Sequence, residues 1–162
     1  MQAILIFKLL ILIAVANGMP VIAKRLFGDS LARPLDGGGA FFDGRPVFGP
    51  SKTIRGLVLS LLATPLFGLL IGLPWQLGLM VACGTMAGDL FSSFVKRRMG
   101  LPPSSMALGL DQIPESLFPL LLSALLVPLG VIDIVVGVAI FSVAAPIVSR
   151  LCFYLRLRDQ PY

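Results

Sequence analysis

The segment WQLGLMVACGTMAGDLFSSFV, residues 75 to 95, decides the class to which this protein belongs. It is predominantly apolar and close to the ~20 residues that an α-helix needs to cross a bilayer. Three basic residues, Lys96, Arg97 and Arg98, follow it directly. Because the cytoplasmic ends of membrane helices are rich in lysine and arginine, the segment predicts a transmembrane helix that ends at the cytoplasmic surface.

Four other apolar segments have a similar length, at 3–23, 54–73, 113–130 and 131–152. Charged residues make up only 13% of the 162 residues, whereas roughly 25% are typical of a soluble domain. The missing polar surface indicates that much of the chain faces lipid. We therefore predict an all-α, polytopic membrane protein with five transmembrane helices in a single domain, residues 1–162. Three prolines interrupt the fourth segment, so a re-entrant segment is the alternative at that position.

The positive charges predict the topology. Twelve of the thirteen lysines and arginines would lie on one side of the membrane if the five helices alternate in direction. By the positive-inside rule that side is the cytoplasm. We therefore expect a multi-pass protein of the cell (inner, cytoplasmic) membrane, with the N-terminus outside and with the C-terminus and the loops 24–53 and 96–112 in the cytoplasm. The net charge of +5 then reflects topology and gives no reason to expect nucleic acid as a partner.

The first of these loops contains RPLDGGGAFFDGRPVFGPSKT, residues 33 to 53. Its glycines and prolines exclude a regular helix or a central strand. Its phenylalanines and valine make it too hydrophobic for a simple solvated linker. We expect an ordered loop, and long ordered loops are usually functional.

The end of this loop matches the phosphate-binding P-loop only in part, because two residues separate Gly49 from Lys52 and no strand precedes it. Ser51 or Thr53 is nevertheless suited to cap the following helix. Lys52 and Arg55 flank the positive end of the helix dipole, where phosphate binds well. The alternative is that both basic residues only anchor the helix at lipid headgroups.

Asp89 is the sharpest candidate for a functional residue. It lies about 10 Å inside the end of the predicted third helix, at ~1.5 Å per residue, and an intramembrane carboxylate usually marks a functional site. Ser93, Lys96 and Arg97 follow at helical spacing and share its face. The alternative is that Asp89 is only a structural partner for Lys96 or for a basic residue of another helix.

Other polar and small residues accompany Asp89. Gly84 and Gly88 form a small-xxx-small pattern that lets another helix approach closely. Asp111 precedes the fourth apolar segment and is either a functional carboxylate or only a helix N-cap. Asn17 lies deep in the first segment, where it either packs helices together or lines a pocket.

The chain contains no histidine, which excludes a histidine base and a Ser-His triad. Aspartates without a cluster of His or Cys point to Mg²⁺, which takes one or two carboxylates and completes its shell with water and substrate phosphates. Two or three aspartates beside several basic residues at one membrane face therefore predict a site for a polyphosphate with Mg²⁺. Phosphoryl or nucleotidyl transfer is the chemistry that such a site supports.

Four motifs carry a resemblance to a known family: ANGMPV, PLDGGGAFFDGRPVFGPSKTIRG, GDLFSSFVKRRMG and LDQ. In this order, and with five apolar segments, they resemble the CDP-archaeol synthase family, membrane enzymes related to CTP:phosphatidate cytidylyltransferase. The match covers residues 14–112. The resemblance implies a Mg²⁺-dependent nucleotidyltransferase in the lipid bilayer that transfers CMP from CTP to a lipid phosphate, giving a CDP-activated lipid and pyrophosphate in phospholipid biosynthesis. The lipid partner is phosphatidate or an ether-lipid phosphate.

The resemblance also implies roles for individual residues. The Mg²⁺ ligands would be Asp89 and Asp111, with Asp43 as a further candidate. The catalytic residues would be Asp89, Asp111, Lys96 and Lys52. The residues in contact with the substrates would be Asn17, Asp43, Gly44, Lys52, Arg55, Ser93, Lys96 and Arg97.

Two other functions compete with this one. The first is a small transporter or channel with Asp89 in its pathway, although such a protein has little need for a Gly-rich loop gathered with other charges at one surface. The second is another membrane enzyme of phospholipid synthesis. A CDP-alcohol phosphotransferase would show Asp-Gly-x-x-Ala-Arg, whereas Asp43 and Gly44 are followed here by Arg45 and Pro46.

Overall fold

The architecture is that of a computed structural model, which describes residues 2–155. Within these residues the chain forms five α-helices: α1 (Ala3–Phe27), α2 (Ile54–Leu70), α3 (Trp75–Arg98), α4 (Gln112–Ser123) and α5 (Val131–Tyr154). The predicted all-α fold with five helices is confirmed. Arg156 and Arg158, two of the basic residues that predict the topology, lie outside the described residues.

The helices present apolar side chains to their surroundings. α1, α3 and α5 are each long and apolar enough to cross a membrane, and α2 is a shorter apolar helix. Large side chains on α2, such as Leu62 and Leu66, are exposed, whereas the small polar Ser60 is buried. The Ser60 hydroxyl donates a hydrogen bond of 2.7 Å to the Ala16 carbonyl oxygen of α1. This distribution, with polar contacts inside and apolar surface outside, is that of a polytopic membrane protein.

α4 is shorter than the sequence predicts. The prediction of a helix over 113–130 is wrong for the second half of this range. α4 ends at Ser123, and an irregular segment continues to Gly130. Pro128 prevents a regular helix from reaching the end of this segment, since it lacks an N–H group and restricts the preceding residue. The 12 residues of α4 rise only about 18 Å, less than the ~30 Å of the hydrocarbon core.

The segment after α4 completes the crossing. The Gln2 side-chain amide donates a hydrogen bond of 2.9 Å to the Pro128 carbonyl oxygen. Gln2 precedes the first residue of α1, so the chain after α4 reaches the face of the bundle at which α1 begins. The structure therefore shows a crossing made of a short helix and an irregular segment, and the re-entrant alternative does not describe it.

Glycines that face prolines hold neighbouring helices close together. A Cβ atom added at Gly56 of α2 would lie 2.9 Å from Pro20 Cβ of α1. One added at Gly78 of α3 would lie 2.6 Å from Pro65 Cα of α2. Real Cβ atoms do not make such short contacts, so each of these helix pairs depends on the missing side chain.

The same device brings α3 and α4 together. A Cβ atom added at Gly84 would lie 2.5 Å from Pro119 Cα, and one added at Gly88 would collide with the Pro114 carbonyl group. The prediction that Gly84 and Gly88 allow a close helix approach is confirmed, and α4 is the helix that approaches. Asp89 consequently lies directly beside the first turn of α4.

The bundle has an apolar half and a polar half. Buried apolar side chains fill one half. They belong to α1, α3, α4, α5 and the segment between α2 and α3: Leu9, Leu12, Ile13, Leu73, Leu77, Val81, Leu120 and Phe141. From Leu77 to Asp89, α3 rises about 18 Å. The predicted site residues therefore lie near the opposite membrane face from this cluster.

We expect Gly88→Ala to destabilise the protein because its methyl group would collide with backbone atoms of α4. Backbone atoms cannot move aside as the end of a flexible side chain can. Overpacking of this kind costs about 1–3 kcal/mol. The measurement is thermal unfolding of the detergent-solubilised protein. Gly18→Ala on α1 is the matched control, since a Cβ atom there meets nothing within 4 Å. Equal midpoints for the two variants would contradict the close α3–α4 contact.

Candidate active site

A cavity of about 500 Å³ lies at the polar end of the bundle. All five helices and both long loops contribute to its wall. Its volume is within the range of small-molecule sites. Eight of the ten predicted site residues line it: Asn17, Lys52, Arg55, Asp89, Ser93, Lys96, Arg97 and Asp111.

The first loop brings Lys52 to Asp89. Lys52 Nζ lies 2.5 and 2.6 Å from the two carboxylate oxygens of Asp89. The backbone around Lys52 is fixed, because the Leu35 N–H donates to the Lys52 carbonyl oxygen at 2.7 Å and the Ile54 N–H donates to the Arg33 carbonyl oxygen at 3.1 Å. Asp89 is therefore paired with a cation from outside its own helix.

The start of α2 is held by its N-cap and by Arg55. The Thr53 side-chain oxygen accepts a hydrogen bond of 3.2 Å from the Gly56 N–H, which confirms Thr53 as the cap. The Arg55 guanidinium turns back and donates to the carbonyl oxygens of Gly28 and Ser30. Arg55 thus lines the cavity but is engaged with neutral carbonyl groups.

The second loop is folded around an ion pair between Lys96 and Asp111. Lys96 Nζ lies 2.7 Å from an Asp111 carboxylate oxygen and also donates to the Ser105 carbonyl oxygen at 2.9 Å. The other Asp111 oxygen accepts from the Ala107 N–H at 2.9 Å. Asp111 makes no side-chain cap to α4, so the alternative of a bare N-cap does not describe it.

Arg97 is a buried cation with spare donors. It is only 4% exposed, and its Nη2 donates to the Pro102 carbonyl oxygen at 2.8 Å. Its Nε and Nη1 are buried and have no hydrogen-bond partner among residues 2–155. Because buried donors without partners are costly, and because Arg97 lines the cavity, this side chain is suited to an anionic ligand.

Asp36 orders the first loop. Its carboxylate accepts hydrogen bonds from the N–H groups of Phe48 and Gly49, both at 2.9 Å, and of Gly38 at 3.1 Å. Partial burial raises the pKa of Asp36, but the N–H groups of Gly49, Phe48 and Gly38 outweigh burial and hold the pKa below its ordinary value of 3.8. The loop is ordered, as the sequence predicts. The partly buried carboxylate of Asp36, rather than regular secondary structure, provides this order.

The structure does not bring Asp43 and Gly44 to the cavity. Gly44 occupies a tight turn with φ of 74°. The Asp43 carboxylate pairs with Arg98 at the end of α3 and accepts from the Arg45 N–H at 3.1 Å. Desolvation raises the pKa of Asp43, but the Arg45 N–H and the Arg98 charge outweigh it and lower the pKa. In this arrangement Asp43 holds the loop against α3 and lies outside the cavity that Asp89 and Asp111 line.

Glu115 is a cavity residue that the sequence analysis missed. It lines the cavity and accepts a hydrogen bond of 3.1 Å from Asn17 Nδ2. Asp89 lines the same cavity. The available signal was its position four residues after Asp111, since residues i and i+4 of a helix share a face.

The acidic residues fit Mg²⁺ that is bound together with a polyphosphate. Across residues 2–155, no three side chains of His, Cys, Asp or Glu are arranged to hold a metal ion by themselves. Asp89 and Asp111 line the same cavity and offer two carboxylates. Mg²⁺ commonly takes one or two carboxylates and completes its shell with water and phosphate oxygens, so this donor set suits it.

Comparison with known proteins decides the family. The profile of the family described as CarS-like, CDP-archaeol synthase, matches residues 1–162. The chain belongs to the CDP-archaeol synthase family. The CDP-archaeol synthase of Pyrobaculum islandicum is 32% identical over 153 residues, which cover 91% of this chain and 92% of that protein. The CDP-archaeol synthase of Methanopyrus kandleri is 37% identical over 147 residues, which cover 85% of this chain and 83% of that protein.

A solved structure is also similar. It belongs to an intramembrane enzyme for archaeal membrane lipids biosynthesis, with a TM-score of 0.71 and 30% sequence identity, and the match covers 89% of this chain and 91% of that one. The likeness to the CDP-archaeol synthase family therefore extends to α5 and the end of α4, where the sequence contains none of the four motifs. The chain is a membrane-embedded, multi-pass member of a lipid-biosynthesis family.

We expect the order of the first loop to depend on the charge of Asp36. Because its pKa is lowered on folding, its stabilising contribution is present above pH ~4 and is lost as the pH falls through the lowered folded-state pKa. Asp36→Asn should remove about 1 kcal/mol at neutral pH and make the dependence on acid disappear. The measurement is hydrogen exchange at the Phe48 and Gly49 amides, corrected for intrinsic rates. Unchanged protection in Asp36→Asn would contradict this role.

Proposed function

We propose that the protein is a cytidylyltransferase that transfers CMP from CTP to the phosphate group of a membrane lipid, giving a CDP-activated lipid and pyrophosphate. The observation that carries the proposal is the coincidence of two lysine–aspartate ion pairs and a buried arginine with spare donors in one cavity. Membership of the CDP-archaeol synthase family supports the same activity, because a CDP-linked lipid takes its nucleotide from a cytidine phosphate.

The triphosphate of CTP is the ligand that the cavity's cations fit. The Nε and Nη1 of Arg97 have no partner among residues 2–155, and charged guanidinium N–H groups form strong hydrogen bonds to phosphate oxygens. Lys52 and Lys96 are point charges on flexible stems and are able to change partners within the cavity. The N-terminus of α2, next to Lys52, adds the positive end of a helix dipole.

The proposed reaction is a displacement at the α-phosphorus of CTP. An oxygen of the lipid phosphate attacks this phosphorus, the bond to the oxygen that bridges to the β-phosphate breaks, and pyrophosphate leaves with the electron pair. The attacking phosphate is already ionised at neutral pH, so the reaction needs no histidine base. Lys52, Lys96 and Arg97 contribute by neutralising the negative charge that develops on the leaving pyrophosphate.

Asp89 and Asp111 are the residues that would hold Mg²⁺ in this proposal. When bound, Mg²⁺ supplies charge neutralisation and orientation of the phosphates. The two aspartates come from α3 and from the residue before α4, so the close packing of these helices at Gly88 sets their separation. Asn17 and Glu115 hold the inner side of the same cavity through their mutual hydrogen bond.

The acceptor is proposed to enter from the bilayer. The cavity wall includes the apolar Pro20 and Val21 of α1 and Ala145 and Pro146 of α5, as a charged headgroup on apolar chains requires. We propose an ether-lipid phosphate as the acceptor because the relatives are named CDP-archaeol synthase, and phosphatidate is the competing acceptor. The distribution of lysine and arginine supports a cytoplasmic position for the cavity.

An enzyme accounts for the architecture better than a transporter or channel does. Within residues 2–155, the cavity lining shares no residue with the buried apolar cluster that fills the other half of the bundle. A pathway through Asp89 would have to pass between side chains such as Leu12, Leu77 and Leu120, which are fully buried. A charged substrate would meet a dry barrier there.

Purified protein, Mg²⁺ and CTP labelled on the α-phosphate should give a labelled lipid when a lipid phosphate is added. We expect more label with an archaeal ether-lipid phosphate than with phosphatidate, measured in the lipid extract. CTP labelled on the γ-phosphate is the control and should leave its label in the aqueous phase as pyrophosphate. No labelled lipid with either acceptor would refute the proposed function.

Asp89→Asn should reduce turnover by about 100-fold or more, because metal-assisted charge neutralisation is worth several kcal/mol. The measurement is the lipid-extract assay together with membrane insertion and thermal stability, which should stay close to wild type. Asp43→Asn is the matched control, since it makes the same change at a carboxylate outside the cavity. If Asp43→Asn lost activity and Asp89→Asn kept it, the assignment of the metal ligands would be reversed.

A further inference from the structure

Lys52 and Lys96, two of the lysines that line the cavity, each have two kinds of partner open to them. Lys52 holds Asp89 and Lys96 holds Asp111, at distances of 2.5 to 2.7 Å. Under the proposed function the same aspartates would hold Mg²⁺ and the same lysines would contact the triphosphate of CTP. The contacts that the structure shows and the contacts that the reaction needs therefore compete for the same side chains.

A divalent cation that entered by itself would be opposed by these ion pairs. It would have to displace an ammonium group from each carboxylate, and the released lysines would lie beside a cation with no counter-charge. Arg97, which is 4% exposed and lines the same cavity, adds a further positive charge. Charges of one sign brought together in a partly buried site repel strongly.

The nucleotide by itself meets the opposite problem. Its phosphates would attract Lys52 and Lys96 away from the aspartates, and two carboxylates would then face a polyphosphate of the same sign. Glu115, which lines the same cavity, places a third carboxyl group there. The cavity is therefore poorly suited to either ligand alone.

We infer that Lys52 and Lys96 exchange partners when the divalent cation and the nucleotide bind, moving from the carboxylates of Asp89 and Asp111 to the phosphates. Each aspartate then gains the cation when it loses its lysine, so every charge stays paired. This inference rests on the proposed function and goes beyond it, because it assigns Lys52 and Lys96 one set of partners before the ligands bind and another set afterwards. It requires that the cation and the nucleotide each raise the affinity of the cavity for the other.

Arg55 provides the internal contrast. It lines the same cavity and carries the same charge, but it donates to the carbonyl oxygens of Gly28 and Ser30 rather than to a carboxylate. Its replacement changes the total charge of the cavity without freeing an aspartate. Arg55→Ala therefore separates a general electrostatic effect from the release of a metal ligand.

The test measures Mn²⁺ binding to the detergent-solubilised protein by electron paramagnetic resonance without nucleotide, and CTP binding in the presence of EDTA by calorimetry. Lys52→Ala should tighten Mn²⁺ binding by about tenfold, a typical size for coupling between two ligands, and should weaken CTP binding. Lys96→Ala should do the same through Asp111, which keeps the inference testable if one variant fails to fold. Arg55→Ala should change Mn²⁺ binding by less than about threefold, as for a general surface charge.

Opposite signs for the two ligands support the exchange of the lysines. Mn²⁺ affinity that falls or stays constant in both lysine variants overturns it, and so does an equal increase in Arg55→Ala. The labelled-CTP assay on the wild type is read separately. If transfer to lipid occurs but the opposite shifts are absent, the inference fails and the proposed function stands, whereas absence of transfer removes the proposed function itself.

Discussion

The backbone contact between α3 and α4 at Gly88 is the constraint on which the cavity depends. No side chain separates the two helices there, so Asp89 and the first turn of α4 lie at the same depth. Asp89 of α3 thereby enters one cavity with Asp111 and Glu115, which lie at the start of α4. A larger residue at Gly88 would part the helices and with them the carboxylates, because helix surfaces in close-packed interiors do not deform locally.

Electrostatics in this part of the bundle follows from the same geometry. A carboxylate at membrane depth is expensive unless a partner is close, and Asp89 and Asp111 each have an ammonium group at 2.5 to 2.7 Å. One ammonium group, that of Lys52, comes from the first loop, which backbone hydrogen bonds and the Asp36 carboxylate hold in place. The other, that of Lys96, comes from the end of α3. Order in the long loop is thus a condition for burying acid in the bundle.

The sequence was sufficient for features that depend on local pattern. The five helices, the Thr53 cap and the small-residue face of α3 all follow from composition and spacing along one segment. Which cation meets which acid depends on the path of a long loop, and no periodicity encodes that path. Glu115 was missed because a single acid after Pro114 resembles an ordinary first-turn residue. The early end of α4 is marked by Pro128, which lacks an N–H group and restricts the residue before it.

The division of the bundle into two halves has a consequence for the membrane as a whole. A charged recess that reaches into a bilayer leaves less apolar thickness between the two compartments. Here the remaining thickness is closed by fully buried leucine, isoleucine and valine side chains from α1, α3 and α4. If the protein has the proposed function, this apolar layer would let it take polar reactants from one aqueous phase without opening a path for protons and ions across the bilayer.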